Sequence, residues 1–157
     1  MTVLDHIKEE HESFREKIAK IEATTSNKKM EIFNELFAEI HGHHEAEEKV
    51  IFPLVIDKKD EKTMDIVLEM IEEHTLVSYH FSVLEKESVD NETWDAKFSL
   101  LKEKLNHHLE EEEEEFLPMA RKMISEEKLI EMLDKFETVN EDKTKEKKKK
   151  LERGINV

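Results

Sequence analysis

The spacing of apolar residues constrains this chain more than any other feature. They recur three and four residues apart in four long segments, and each stripe has a histidine in place of one apolar rung. In the first segment Leu4, Ile7, Phe14, Ile18 and Ile21 leave one step, which His11 fills. In the second, Phe33, Leu36 and Ile40 lead to His43 and Glu47 and then to Ile51 and Leu54. The third runs Met64, Val67, Ile71, His74, Val77, Phe81, Leu84, and the fourth Trp94, Phe98, Leu101, Leu105, His108, Glu112, Met119. Stripes of this period belong to amphipathic helices that pack as a bundle. Two Gly and two Pro leave little turn chemistry for a many-stranded sheet, so the expected class is all-α.

The breaks between stripes are short and polar: Thr24 to Asn27, Asp57 to Asp60, and Val89 to Glu92. Short connections make successive helices antiparallel neighbours, which predicts an up-down-up-down four-helix bundle. Ser125, Glu126, Leu129, Ile130, Leu133 and Phe136 predict a short extra C-terminal helix docked outside it. Residues 1–138 are accordingly read as the bundle domain. Residues 139–157 are polar and Lys-rich with no apolar face, and are expected to be a disordered tail. Pro53 and Pro118 are expected to kink or end the second and fourth helices.

The chain also repeats itself. Residues 33–53 align without gaps on 98–118 at an offset of 65, and EEHESFREKIAKIE aligns on EEHTLVSYHFSVLE at an offset of 63. Each half is a helix with one stripe histidine followed by a helix carrying His-x-x-x-Glu, which implies a doubled helical hairpin.

Charge and composition exclude several classes. A net charge of −15 argues against nucleic-acid or anionic-membrane binding. No apolar run approaches a membrane span, and the N-terminal MTVLDHIKEEHE does not read as a signal peptide. With no cysteine there are no disulfides, thiolate metal sites or thiol nucleophiles, and the expected location is cytoplasmic.

Six polar residues therefore sit on stripes that should be buried: His11, His43, Glu47, His74, His108 and Glu112. Residues at equal height in an antiparallel hairpin are equidistant from its turn. The midpoint of His11 and His43 is residue 27, that of His43 and His74 lies between 58 and 59, and that of His74 and His108 is 91. Each falls in a break, so one histidine from each helix meets at one level. His43/Glu47 and His108/Glu112 share a helix face at i and i+4. Buried carboxylates demand partners or a metal. Four imidazoles and two carboxylates suit a pair of iron ions with the carboxylates bridging. Symmetry suggests His11 and His43 on one ion and His74 and His108 on the other. Manganese and zinc remain open; copper(I) is disfavoured without soft ligands. A metal-free helical interaction module is the bland alternative. His6, His41, His80 and His107 lie off the stripes. The run Glu110 to Glu115 reads mostly as a solvated face, with only Glu112 in the right phase, and His44 adjoins the site as a candidate extra ligand.

Over residues 1–123 the sequence resembles hemerythrin-like proteins, the HHE cation-binding domains. EEHESFR with His11, HHEAEEKVIFP with His43 and Glu47, EEH with His74, and HHLEEEEEEFLP with His108 and Glu112 carry the likeness. The resemblance implies a four-helix bundle holding two oxo- or hydroxo-bridged iron ions that bind, sense or scavenge O2 or NO. A di-iron enzyme acting on peroxide or NO, or of the iron-centre repair type, is the alternative. Two positions depart from the oxygen carriers. Ser78 stands where they have a second histidine on helix three, and Glu112 follows His108 by four where they have an aspartate at five. Both favour the six-ligand site of the bacterial branch over reversible oxygen carriage.

Overall fold

The computed structural model describes residues 1–155. Its long helices are α1 (Val3–Ala23), α2 (Asn27–Ala46), α4 (Glu61–Glu85) and α5 (Trp94–Glu111). Short helices α3 (Phe52–Ile56) and α6 (Leu117–Met123) extend α2 and α5, and α7 (Glu126–Ile155) closes the chain. No strand occurs among the described residues. Local chemistry sets several starts. Thr2 and Asp5 form a reciprocal capping box on α1, and the Asp60 carboxylate accepts from the Thr63 amide at the head of α4. Neighbours α1–α2, α2–α4, α4–α5 and α5–α1 close a four-helix bundle of the predicted order.

The apolar core is split in two. One cluster holds Leu4, Ile7, Val50, Phe52, Val67, Met70 and Phe116; the other holds Phe14, Ile18, Phe33, Phe81, Trp94 and Leu105. His11 falls between Ile7 and Phe14, and His74 between Met70 and Val77, so a polar layer separates the two apolar ends.

The prolines act through their neighbours. Helices α2 and α5 do not end at Pro53 and Pro118; each passes through a π-helical turn, Glu47–Ile51 and Glu112–Phe116, and then continues. The Phe52 amide donates to the Glu47 carbonyl and the Leu117 amide to the Glu112 carbonyl, five residues back in both cases. Proline has no amide to give its ladder, and the wide turn takes up one extra residue. The buried phase therefore slips by one. The expected rungs Leu54 and Met119 are only partly buried, while Val55 and Ala120 are fully buried.

The C-terminal region departs from expectation. Instead of a short helix and a disordered tail, α7 is one helix of 30 residues running antiparallel along α2; residues 156–157 of the expected tail lie outside the described residues. Its inner stripe continues past Phe136, but polar side chains occupy the rungs. Asn140 is buried with its amide on Glu10, the Lys147 ammonium lies 4.4 Å from the Phe37 ring centroid, and Leu151 joins the second core cluster. Lysine can cover apolar surface with its stem while its charge stays wet. An apolar pattern search passes over such a face.

Gly42 permits this docking. A Cβ there would lie 2.0 Å from Thr144 Oγ1 and 2.6 Å from the Asn140 carbonyl oxygen. The hydroxyl can turn away, but the carbonyl cannot move without α7. Gly42→Ala is expected to destabilise the protein by about 1–3 kcal/mol, as overpacking does, and to speed proteolysis within α7. Unchanged melting and cleavage would show that α7 does not depend on this approach.

Candidate metal centre

The structure brings all six stripe residues into one layer. His11, His43, Glu47 and Glu112 are fully buried, and His108 and His74 are only 2% and 4% exposed. Two groups of ligand atoms form within it, each spanning no more than 4.8 Å: His11, His43 and Glu112, and His44, Glu47, His74 and His108. The carboxylates lie between the imidazoles. Glu47 Oε1 is 3.5 Å from His43 Nε2 and 3.3 Å from His74 Nε2. Glu112 is 3.0 Å from His11 Nε2, 3.9 Å from His43 Nε2 and 3.8 Å from His108 Nε2. Yet none of these inward nitrogens and none of the four carboxylate oxygens has a well-directed hydrogen bond. Buried polar atoms are ordinarily satisfied, so a concentration of orphans at one level marks a place built for something else. Phe14 packs edge-on against His43, and Phe52 lies over His74, sealing the layer from either end.

Behind the layer stands a ring of outer carboxylates. The Nδ1 atoms of the four stripe histidines each face one: His43 to Glu10 at 3.2 Å, His74 to Glu48 at 3.2 Å, His108 to Glu73 at 2.6 Å and His11 to Glu113 at 3.0 Å. Each carboxylate comes from the preceding helical segment around the bundle, so the contacts close a circle: α1 to α2, α2's π turn to α4, α4 to α5, and α5's π turn to α1. In the neutral imidazole, an Nδ1–H donating outwards leaves Nε2 as an acceptor aimed at the centre, free for a metal. Arg15 anchors Glu113 at 2.6 Å and Asn140 anchors Glu10, which ties α7 to the site.

These four glutamates are not among the residues the stripes single out, and Glu113 corrects the reading of the Glu110–Glu115 run as solvated apart from Glu112. The signal lies in the repeat. Glu10 and Glu73 each precede a stripe histidine, and Glu48 and Glu113 each follow a stripe glutamate, at the same offsets of 63 and 65. Outer partners of this kind are typically worth 10–100-fold in metal affinity. Glu73→Gln is expected to weaken metal binding by about that factor with helicity unchanged, as read by titration against a competing chelator. Wild-type affinity in Glu73→Gln would remove Glu73 from the site.

Opposed charges set the electrostatics. Burial pulls the imidazoles of His11, His43 and His74 down, but the surrounding carboxylates outweigh it and hold all three above the usual value, His74 at about 9. Burial likewise pushes Glu112 up, and its neighbours Glu47, His11 and His43 hold it well below the carboxylate range. The off-stripe histidines separate by position. His107 is exposed beside Glu111, and His6 lies at the rim against Glu10. His41 lines a cavity of about 260 Å³ that leads from the surface to His44 and His74.

A helical bundle whose core is interrupted by inward imidazoles and carboxylates, each imidazole braced from behind, is a domain fitted to hold cations. The chain belongs to the hemerythrin family: the hemerythrin HHE cation binding domain matches residues 2–120. Helix α7 lies beyond the matched segment. No curated protein and no solved structure matches the chain significantly.

Proposed function

We propose that this protein binds two iron ions in the polar layer and uses them to bind, sense or scavenge O2 or NO. The observation that carries the reading is the set of orphaned inward atoms: imidazole nitrogens and both oxygens of Glu47 and Glu112, buried together without partners. His11, His43, His74 and His108 would supply the nitrogen donors, and Glu47 and Glu112 would be shared between the ions. All are borderline or hard donors, a set that suits iron. Iron supplies the ligand-binding and redox chemistry that a diatomic ligand requires. The protein's part is to aim the imidazoles inwards through the outer carboxylates, and to keep bulk water out with Phe14 and Phe52. The cavity of about 260 Å³ at His44 and His74, walled by Phe37, Ile40 and Phe81 and by His41 and Ser78, offers a small molecule a way to the layer from the surface.

Rapid mixing of iron-loaded protein with O2, NO and peroxide tests the reading. A saturable spectral change with O2 or NO that ends in a stable product of the iron-loaded protein is expected. Continuous consumption over many turnovers, without a stable liganded form, would favour a di-iron enzyme instead.

A further inference from the structure

We infer that His44 is a seventh metal ligand, which makes the two metal positions unequal; this rests on the two-metal reading above. His44 follows His43 on α2 and so points about 100° further round the helix. It is 5% exposed, and its Nε2 is buried with no hydrogen-bond partner. The ring stacks on His74 at 3.6 Å between centroids with 7° between planes, and meets the edge of His108 at 5.3 Å. A ligand atom of His44 lies within 4.8 Å of those of Glu47, His74 and His108. Unlike the four stripe histidines it faces no outer carboxylate among the described residues, so the centre is where its buried nitrogen can find a partner.

The internal repeat isolates this residue. At an offset of 65, His43 pairs with His108 and Glu47 with Glu112, but His44 pairs with Leu109. Leu109 is 1% exposed and belongs to the apolar core. One half of the doubled hairpin has therefore placed an imidazole where the other keeps a leucine. Three imidazoles (His44, His74, His108) then serve one ion and two (His11, His43) the other, with the carboxylates shared. The ion at His11 and His43 would then have one protein donor fewer than its neighbour.

Leucine already fills the equivalent site, so His44→Leu is the natural test, with His44→Gln as a polar companion and His41→Leu as a control in the same cavity. Each protein is loaded anaerobically with ⁵⁷Fe(II), and Mössbauer spectra and iron release to a chelator are recorded. Wild type and His41→Leu should show two distinct iron environments and slow release of both ions. In His44→Leu and His44→Gln one environment should change, and one of the two irons should leave faster by more than the roughly 100-fold upper range for outer partners. Wild-type spectra and release in a folded His44→Leu or His44→Gln protein would overturn the assignment. A wild type that takes up no iron would instead overturn the two-metal reading on which it stands.

Discussion

His108→Ala is expected to lose most of its bound metal, while His107→Ala keeps all of it. The residues are adjacent on α5 and chemically identical, so each controls for the other. They point about 100° apart. His107 has a side chain 75% exposed beside Glu111; His108 is 2% exposed, braced by Glu73 and facing Glu112. Removing His107 should shift stability by no more than about 0.5 kcal/mol, as surface changes do. Removing His108 deletes an inward donor and also leaves Glu73 without its imidazole. Metal analysis and thermal melting of the two variants decide the matter. Equal loss from both, or loss from His107→Ala alone, would mean that the inward face has been misassigned.

The second large effect is a reversal in how acid acts with and without metal. In the metal-free protein the raised imidazoles of His11, His43 and His74 contribute stability that is complete below the ordinary value of 6.5 and fades as pH rises through their folded values, about 9 for His74. His44 runs the other way. Burial, and then the neighbouring His74 and His108, push it well below 6.5, so it subtracts stability as pH falls below that value. Glu112 is depressed and contributes above the ordinary 4.5, a share lost only in stronger acid. The metal-free protein should therefore melt higher at pH 6.5 than at pH 9. A metal ion requires unprotonated imidazoles, so the extra stability from iron must shrink as pH falls. At iron concentrations near a thousand times the dissociation constant each site adds about 4 kcal/mol. Melting with and without iron from pH 9 to pH 5 measures both slopes. A metal-free protein that gains stability towards pH 9, or an iron increment that grows in acid, would contradict this electrostatic picture.

Much of this centre is legible in the sequence because level and phase are simple geometry. Helical spacing picks out His11, His43, His74 and His108, and the turn midpoints alone bring them to one height. What escapes is what a regular helix does not contain. The slip from Leu54 to Val55 and from Met119 to Ala120 comes from π turns that an unbroken 3.6-residue period cannot represent. The outer carboxylates belong to neighbouring helices and look like ordinary surface charge until the bundle closes around them. The full length of α7 is hidden because Asn140 and Lys147 occupy rungs where an apolar side chain is sought, and because its docking depends on the missing side chain of Gly42.

If the orphaned imidazoles and carboxylates hold a pair of ions, an iron count will show it. Protein reconstituted anaerobically with ferrous iron, desalted and assayed for iron and polypeptide should contain about two iron ions per chain, and should develop near-ultraviolet charge-transfer absorption on oxidation. A stoichiometry near zero, with no such absorption, would mean that the buried layer does not hold iron.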